Sequence, residues 1–224
     1  MTKQKEPENY QDFVTYQTPP VKVISSRKII DLFFLPNYYV ILIALRKRPM
    51  TVRDLEQAFK EEADRHAGIE PKSDKSIYRY LKVLEEAELV VPAGQRVVSG
   101  KMVTETLFAR TGQIFLLFYL APEWWLTKSG KNLAKRIGTL MIFLFGGEQP
   151  PIKELQKLFM EFEQERQSTL ERLATEGDKQ VLDILATSPL EEHFLTETYV
   201  GYLVTLINNP EFLERLKKLM KVKK

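Results

Sequence analysis

The sequence contains no cysteine and only two histidines among its 224 residues. Without thiols, the chain can form neither disulfides nor thiolate metal sites, and a cysteine-free chain with many lysines and glutamates is typical of a cytosolic protein. His66 and His193 each lack a second ligand at metal-binding spacing. We therefore expect no metal site, no cofactor and a cytoplasmic location.

The motifs of common enzyme classes are also missing. The chain has no glycine-rich phosphate loop, no G-x-S-x-G nucleophile elbow and no HExxH zinc motif. Adjacent carboxylates such as Glu61-Glu62 and Glu191-Glu192 lie in mixed-charge helical segments, so they need no catalytic interpretation. These absences favour a protein that is not an enzyme.

Long apolar runs are missing as well. The most apolar stretches, "IFLLFYLAP" and "LMIFLFGG", are far shorter than the roughly 20 residues that span a bilayer. Residues 1–20 are polar, lack the apolar segment of a signal peptide and end in Pro19-Pro20. We expect no membrane association, and we interpret residues 1–20 as a flexible or strapping N-terminal arm.

The composition that remains is that of a globular protein, with 44% hydrophobic and 28% charged residues. The basic excess is confined to one half of the chain. Residues 21–110 carry 16 Lys and Arg against 12 Asp and Glu, whereas residues 111–224 carry 15 of each. An excess of this size is weak evidence for a nucleic-acid partner by itself.

The order of the predicted elements indicates the fold. Three helical segments with apolar stripes follow one another, and the third is "SDKSIYRYLKVLEEAELVV" at residues 73–91. In this segment Ser73 is the predicted N-cap, and the predicted buried positions are Ile77, Leu81 and Leu84. In the preceding helix, Thr51 and Asp54 have the spacing of a capping box. The Val- and Thr-rich residues 90–110 then predict a β-hairpin that turns at Ser99-Gly100.

This order predicts a mostly α protein with a small β-hairpin. Residues 21–111 form a winged helix-turn-helix domain, and residues 112–224 form an all-helical region that we assign to dimerisation. Within that region, proline and glycine positions divide the chain into helices near 112–121, 123–146, 151–176, 178–187, 189–208 and 210–221.

The N-terminal half resembles archaeal and bacterial winged helix-turn-helix transcription regulators, especially the ArsR-like and PadR-like groups. The resemblance covers roughly residues 28–112 and is carried by Pro36-Asn37 with "VILIAL", by "MTVRDLEQAF", by "SIYRYLKVLEEAELV" and by "TETLFART". It implies that the segment 73–89 is the recognition helix and that the hairpin 90–110 is the wing.

The sequence departs from this family at two points. Thiol-based metal sensing is excluded, because the chain has no cysteine. The family usually ends its recognition helix with Ala-Gly-Leu-Val, where the glycine adopts the left-handed cap conformation. Here the residues are Ala87-Glu88-Leu89-Val90, and we predict that Glu88 takes the left-handed conformation at a cost of about 1 kcal/mol.

The outer face of the segment 73–89 carries the groups that a DNA-reading helix needs. Arg79 can form a bidentate contact with a guanine edge. Asp74 is the one member that repels phosphate, unless it accepts from cytosine N4 or stabilises the helix N-terminus. The side chains suited to phosphate contacts are Lys75, Lys82 and Tyr78. The hydroxyls of Ser73 and Ser76 can donate to either a phosphate or a base. A solvated amphipathic face is the alternative, but the place of this helix before a hairpin favours DNA contact.

Four further residues are candidate DNA contacts. Arg96 and Lys101 flank the predicted hairpin turn, where basic groups reach backbone or minor groove in some proteins and simply keep a turn soluble in others. Thr51 and Arg53 begin a helix whose free N–H groups could hold a phosphate.

A regulator of this type reads two half-sites as a dimer, so we expect a homodimer. The predicted interface comprises Phe115, Phe118, Tyr119, Trp124, Trp125, Leu140 and Phe143; packing within one subunit is the alternative. These aromatic residues could also line a pocket for a small-molecule effector, whose identity the sequence leaves open.

Taken with the element order and the basic helix face, the predicted function is a homodimeric transcription regulator that binds double-stranded DNA. The alternative is a winged-helix protein-interaction module or scaffold.

Overall fold

A computed structural model describes residues 10–98, 104–177, 180, 184 and 190–221, without the side chains of residues 190, 191 and 193. The chain forms two compact units. The N-terminal unit contains the described residues up to Lys22 together with Ser26–Phe115, and the C-terminal unit contains Val23–Ser25 and the described residues from Leu116 onward. The sequence analysis placed its boundary between residues 111 and 112.

The N-terminal unit has the element order of a winged helix. Its helices are α1 (Arg27–Ile30), a 3-10 turn (Asp31–Phe34), α2 (Pro36–Ala44), α3 (Val52–Arg65) and α4 (Asp74–Glu86). The strands β3 (Val90–Val98) and β4 (Thr104–Arg110) pair antiparallel after α4. Met50, between α2 and α3, bridges Phe108 of β4, so the hairpin is attached to the helices through this residue.

Burial follows the apolar stripes that the sequence predicts. Leu55 and Phe59 of α3 and Ile77 and Leu84 of α4 are completely buried. The predicted capping box is also present: Asp54 N–H donates to Thr51 Oγ1 over 3.3 Å, and Thr51 N–H donates to Asp54 Oδ2 over 3.1 Å. The helix α2 begins at Pro36, because proline is well suited to the first helical position.

An N-terminal strand lengthens the sheet. The strand β1 (Tyr10–Val14) pairs antiparallel with β3 along its length, giving the order β1-β3-β4. Gly94 permits the close approach, since a Cβ at this residue would lie 2.0 Å from the Phe13 carbonyl oxygen. The described part of the predicted arm is therefore held on the wing by backbone hydrogen bonds.

The helix α4 ends as the sequence predicts, with Glu88 in the left-handed region at a φ of 55°. Leu89 N–H donates to the Leu84 carbonyl and Glu88 N–H donates to the Glu85 carbonyl, which is the hydrogen-bond pattern of a Schellman cap. Lys22 Nζ and Thr111 Oγ1 both donate to the Glu88 carbonyl oxygen. These contacts hold the turn in place without the usual glycine.

We expect Glu88→Gly to raise the free energy of unfolding by about 1 kcal/mol, because glycine adopts this conformation without strain. The Lys22–Glu88 ion pair that is lost is exposed on the glutamate side and so contributes little. Urea unfolding monitored by circular dichroism measures the change. Glu86→Gly, inside the helix, is the matched control and should lower stability; a loss of stability in Glu88→Gly as well would contradict the strain argument.

The C-terminal unit is mostly helical. Its elements are a 3-10 turn (Pro122–Leu126) and the helices α5 (Lys128–Phe145), α6 (Ile152–Glu176), α7 (Leu190–Asn208) and α8 (Glu211–Met220). The long helix α6 packs against α5, α7 and α8. Within α6, Arg166 and Glu163 form a buried ion pair. The predicted helix at 178–187 lies almost entirely outside the described residues.

The predicted helix at residues 112–121 is wrong. Residues Ile114–Leu117 form the strand β5, which pairs with β2 (Val21–Ile24) in a separate two-stranded sheet. All four residues of β5 are buried, and a short run that is apolar throughout carries no periodicity that separates a helix from a buried strand. The protein is thus mostly α with small sheets, a winged helix-turn-helix followed by a helical region.

Candidate nucleic-acid interface

The helix α4 has two clearly different faces. Ile77, Leu81 and Leu84 point into the core. The opposite face exposes a basic and hydroxyl-bearing set of side chains: Lys75, Tyr78, Arg79 and Lys82. The 3.6-residue period that the sequence shows is therefore the period that the fold uses, and the basic face remains accessible to a partner.

Three polar side chains are linked across the first turns of α4. Arg79 donates from Nη2 to Ser76 Oγ over 3.2 Å, and Ser76 Oγ lies 3.3 Å from Ser73 Oγ. This chain of hydrogen bonds directs the Arg79 guanidinium toward the N-terminal end of α4. A recognition helix contacts base edges with its N-terminal residues, so the arrangement places the fork-shaped donor at the end where base contacts occur.

Asp74 has a local function that explains its presence on a basic face. Its carboxylate accepts a hydrogen bond from the Lys75 backbone N–H over 2.6 Å. A carboxylate in the first turn also interacts favourably with the positive end of the helix dipole. Asp74 is therefore a helix-terminal group, and its charge is partly neutralised by the helix itself.

Thr51 is not available as a phosphate contact. The residue is 1% exposed, and both its backbone N–H and its hydroxyl oxygen bond to Asp54. This part of the sequence prediction is wrong, because the capping box consumes the groups that were expected to face solvent. Arg53 remains largely exposed and lies 3.1 Å from a Glu105 carboxylate oxygen on β4.

Arg96 is not the exposed wing cation that the sequence predicted. It lies on β3, is 4% exposed and contacts two carboxylates. Its Nε and Nη2 donate to Asp12 over 2.6 and 2.8 Å, and its Nη1 donates to Asp54 over 3.0 Å. The ring of Tyr10 covers the guanidinium at 3.9 Å. Arg96 therefore joins β1, β3 and α3 and is not free to contact DNA.

The charges in this cluster stabilise one another. The Arg96 guanidinium, by hydrogen bonding to Asp12, holds the pKa of that carboxyl below its ordinary value despite the opposing effect of burial. The hydrogen bond to Asp12 likewise raises the pKa of Arg96, again against burial. Both groups stay ionised at neutral pH, so the cluster is a salt-bridged link within the wing.

The remaining predicted wing residue, Lys101, lies outside the described residues, as does the Ser99-Gly100 turn.

The predicted dimer interface is divided by the structure. Phe115 and Phe118 are 3% and 1% exposed within a single chain, so their assignment to an interface is wrong. Tyr119 contacts Phe194 edge-on, and Trp125 packs on Trp124 and Phe159. Phe115 and Phe118 thus lie in the interior, where large rings bury the most apolar area, whereas Tyr119, Trp124 and Trp125 are half-buried.

Two helices of the C-terminal unit expose apolar stripes. On α5, Leu140 and Phe143 of the predicted interface are exposed, the latter by 87%, together with Leu144. On α7, exposed apolar side chains recur at the spacing of one helical face: Leu195, Tyr199, Leu203 and Ile207. A repeated apolar stripe on a helix surface is typical of an interaction surface.

A cavity of about 170 Å³ lies inside the C-terminal unit. Its walls are formed mainly by aliphatic side chains of β5, α6 and α7, namely Leu116, Leu170, Leu173 and Val200. The other lining residues are Ile184, Thr196 and Glu197. None of the aromatic residues predicted to line an effector pocket is among them.

In the part of the chain that the structure describes, no cluster of three or more His, Asp or Glu side chains could hold a metal ion.

Within the described residues, no helix combines the length and the apolar character that a membrane span requires.

The sequence-based predictions missed two features of this structure. Asp12 lies 84 residues from its partner Arg96, in a polar arm without periodicity, so no local signal pairs them. The apolar stripe of α7 has i, i+4 spacing in the sequence. The sequence-based interface was placed in residues 114–145 instead, because their apolar runs are stronger.

Comparisons with known proteins add only a loose likeness to solved structures. No protein-family model matches the sequence, and a search of curated proteins found no match. Among solved structures, Bacillus subtilis PadR in complex with operator DNA aligns with 80% of this chain and 95% of its own, at 17% identity and a TM-score of 0.28. At that TM-score the likeness assigns neither a fold nor a function, and the winged-helix description rests on the elements of this chain.

Proposed function

We propose that this protein is a DNA-binding transcription regulator, in which α4 enters the major groove and the β3–β4 hairpin is the wing. The observation that carries the proposal is the exposed basic face of α4, on the third full-length helix before a two-stranded hairpin. In helix-turn-helix proteins, the helix in this position reads the groove.

The division of labour on α4 follows from side-chain chemistry. Arg79 is the base-reading residue, because its planar fork matches the two acceptors of guanine. Lys75 and Lys82 bind phosphates, and Tyr78 packs its half-exposed ring against the DNA backbone. The hydroxyl of Ser76 accepts a hydrogen bond from Arg79 and lies beside the hydroxyl of Ser73, and in the proposed complex both hydroxyls face the nearest phosphate.

The salt dependence of duplex binding tests the proposal. Each phosphate contact releases condensed counterions, so the logarithm of the affinity should fall with the logarithm of the salt concentration by about 0.9 for each contact. We expect Lys75→Ala to reduce that slope by about 1. Fluorescence anisotropy with a labelled duplex between 50 and 200 mM salt measures both quantities.

The matched control is Lys131→Ala, an exposed lysine on α5, which should leave the slope unchanged. A binding signal that is indifferent to salt and to Lys75 would remove the DNA proposal. The protein-interaction module that the sequence also allowed would then account for the winged helix.

We further propose that the regulator is a homodimer that pairs through the exposed apolar stripe of α7. Two copies are needed because one short recognition helix contacts only a half-site. The stripe spans three turns of α7, from Leu195 to Ile207, and pairing two such faces removes both from water. Leu140 and Phe143, which are exposed on α5, form a second proposed contact surface and belong to the interface that the sequence predicts.

Replacing Tyr199 by glutamate should convert the dimer into a monomer, because a charge in the centre of an apolar interface is desolvated without a partner. Sedimentation equilibrium at micromolar concentration measures the change. Leu126→Glu places the same charge on an exposed leucine outside the stripe and serves as control. Equal association of both variants would exclude α7 as the interface without affecting the DNA proposal.

A further inference from the structure

A second buried arginine in the N-terminal unit lies in an unusual environment. Arg110 is the last residue of β4 and is only 7% exposed. Its Nη1 lies 3.5 Å from the Leu42 carbonyl oxygen, at the limit of a hydrogen bond, and its guanidinium carbon lies 4.3 Å above the Phe115 ring. Its Nε has no hydrogen-bond partner among the described residues.

The charge on Arg110 has no anionic partner in the part of the chain that the structure describes. The charged group that acts on it is another cation, Arg46, which is partly buried just beyond the end of α2. Burial, and to a smaller extent Arg46, lower the pKa of Arg110 to about 9. The guanidinium therefore remains charged at neutral pH, and two cations lie close together where water is largely excluded.

The other buried arginines show how this chain ordinarily treats such a charge. Arg96 contacts the carboxylates of Asp12 and Asp54, and Arg166 contacts that of Glu163. Burying an ionised group without a counter-ion costs several kcal/mol in proteins. Arg110 departs from the pattern of Arg96 and Arg166, because no carboxylate of the described residues contacts it.

We propose that Arg110 and Arg46 form a binding site for a small oxyanion, a carboxylate or phosphate group supplied by a ligand. An arginine fork matches the two oxygens of either group in a bidentate contact. The unused Nε of Arg110 lies on the edge of the guanidinium that makes such contacts, and the Phe115 ring supports its plane. Arg46 supplies the second positive charge.

A simpler role for Arg110 leads to a different result. The Leu42 carbonyl belongs to the last turn of α2, whose dipole presents negative charge to a cation. If this carbonyl and the Phe115 ring suffice, Arg110 is only a cap for α2. A cap stabilises the fold equally in every buffer, whereas an anion site makes stability depend on which anion is present.

The melting temperature of the full-length protein, measured without DNA, distinguishes these roles. Chloride is compared with inorganic phosphate and with acetate at constant pH and ionic strength. We expect wild-type protein to gain about 3 °C or more in the anion that binds. Arg110→Met should lose that gain, and Arg46→Met, at a less buried position, should reduce it. Arg172→Met, an exposed arginine on α6, should retain it.

The pattern of responses also identifies the group. A gain in phosphate alone assigns a phosphate-bearing ligand, and a gain in acetate alone assigns a carboxylate. If Arg110→Met does not fold, Arg110→Lys keeps the charge but loses the fork and should respond more weakly than wild type. An unchanged gain in both Arg110→Lys and Arg46→Met, or no gain in the wild type, overturns the site. Because no DNA is present, this outcome is independent of the proposed DNA binding.

Discussion

Arg79→Ala should weaken binding to a selected genomic DNA fragment by about 1–3 kcal/mol, because the bidentate contact with a guanine edge is lost. The side chain is exposed on α4 and donates a hydrogen bond to Ser76 within the same helix. Its removal therefore leaves the core of the unit intact. Electrophoretic mobility shifts with the fragment and with base-substituted versions of it measure the loss and the change in specificity.

The specificity readout separates base reading from simple charge. A base-reading arginine discriminates between sequences, so Arg79→Ala should bind substituted fragments nearly as well as the selected one. Arg172→Ala removes an equal charge from α6 and is the matched control. If Arg79→Ala weakens all fragments equally, Arg79 is a phosphate contact and base reading belongs to other residues of the helix.

Asp54→Ala should lower the free energy of unfolding by about 2–4 kcal/mol, because one carboxylate serves two structures. Its Oδ2 accepts from the Thr51 N–H at the start of α3, and its Oδ1 accepts from buried Arg96 of β3. The substitution removes the carboxylate half of the capping box and one of the two counter-ions of a buried guanidinium. Chemical denaturation with urea measures the loss.

Two variants show which part of the loss comes from the charge. Asp54→Asn keeps an oxygen that can accept from Thr51 but removes the negative charge, so it should lose about half as much stability. Asp64→Ala, at an exposed position of the same helix, should change stability by no more than about 0.5 kcal/mol. An Asp54→Ala variant as stable as Asp64→Ala would mean that Asp12 alone satisfies Arg96.

The Arg96 cluster also affects how the wing is interpreted. Asp12 of β1 and Asp54 of α3 hold the same guanidinium, so the N-terminal strand, the wing and the helix before α4 are linked through one side chain. The wing is thereby fixed to the helices that present α4. In the proposed DNA complex, the wing contacts DNA through residues other than Arg96, and the contact of Lys101 stays a prediction.

Local patterns in the sequence predicted the helices well where a local cause determines them. Thr51 and Asp54 stand at capping-box spacing, and the bonds form as expected. Ile77, Leu81 and Leu84 fix the buried face of α4 and thereby the exposed one. The left-handed Glu88 was predicted from the glycine that the resembled family has at this position, and the Schellman bonds that hold it join residues only a few positions apart.

The sequence by itself thus determined the winged-helix order, the basic face of α4 and the strained Glu88, since each depends on residues within one or two helical turns. Only the tertiary structure decided that Arg96 is buried against Asp12, that residues 114–117 are a strand and that Arg110 is buried without contact to a carboxylate of the described residues. Those features depend on partners distant in the chain. A charged or apolar residue has the same local pattern whether its partner is solvent, another strand or a bound anion.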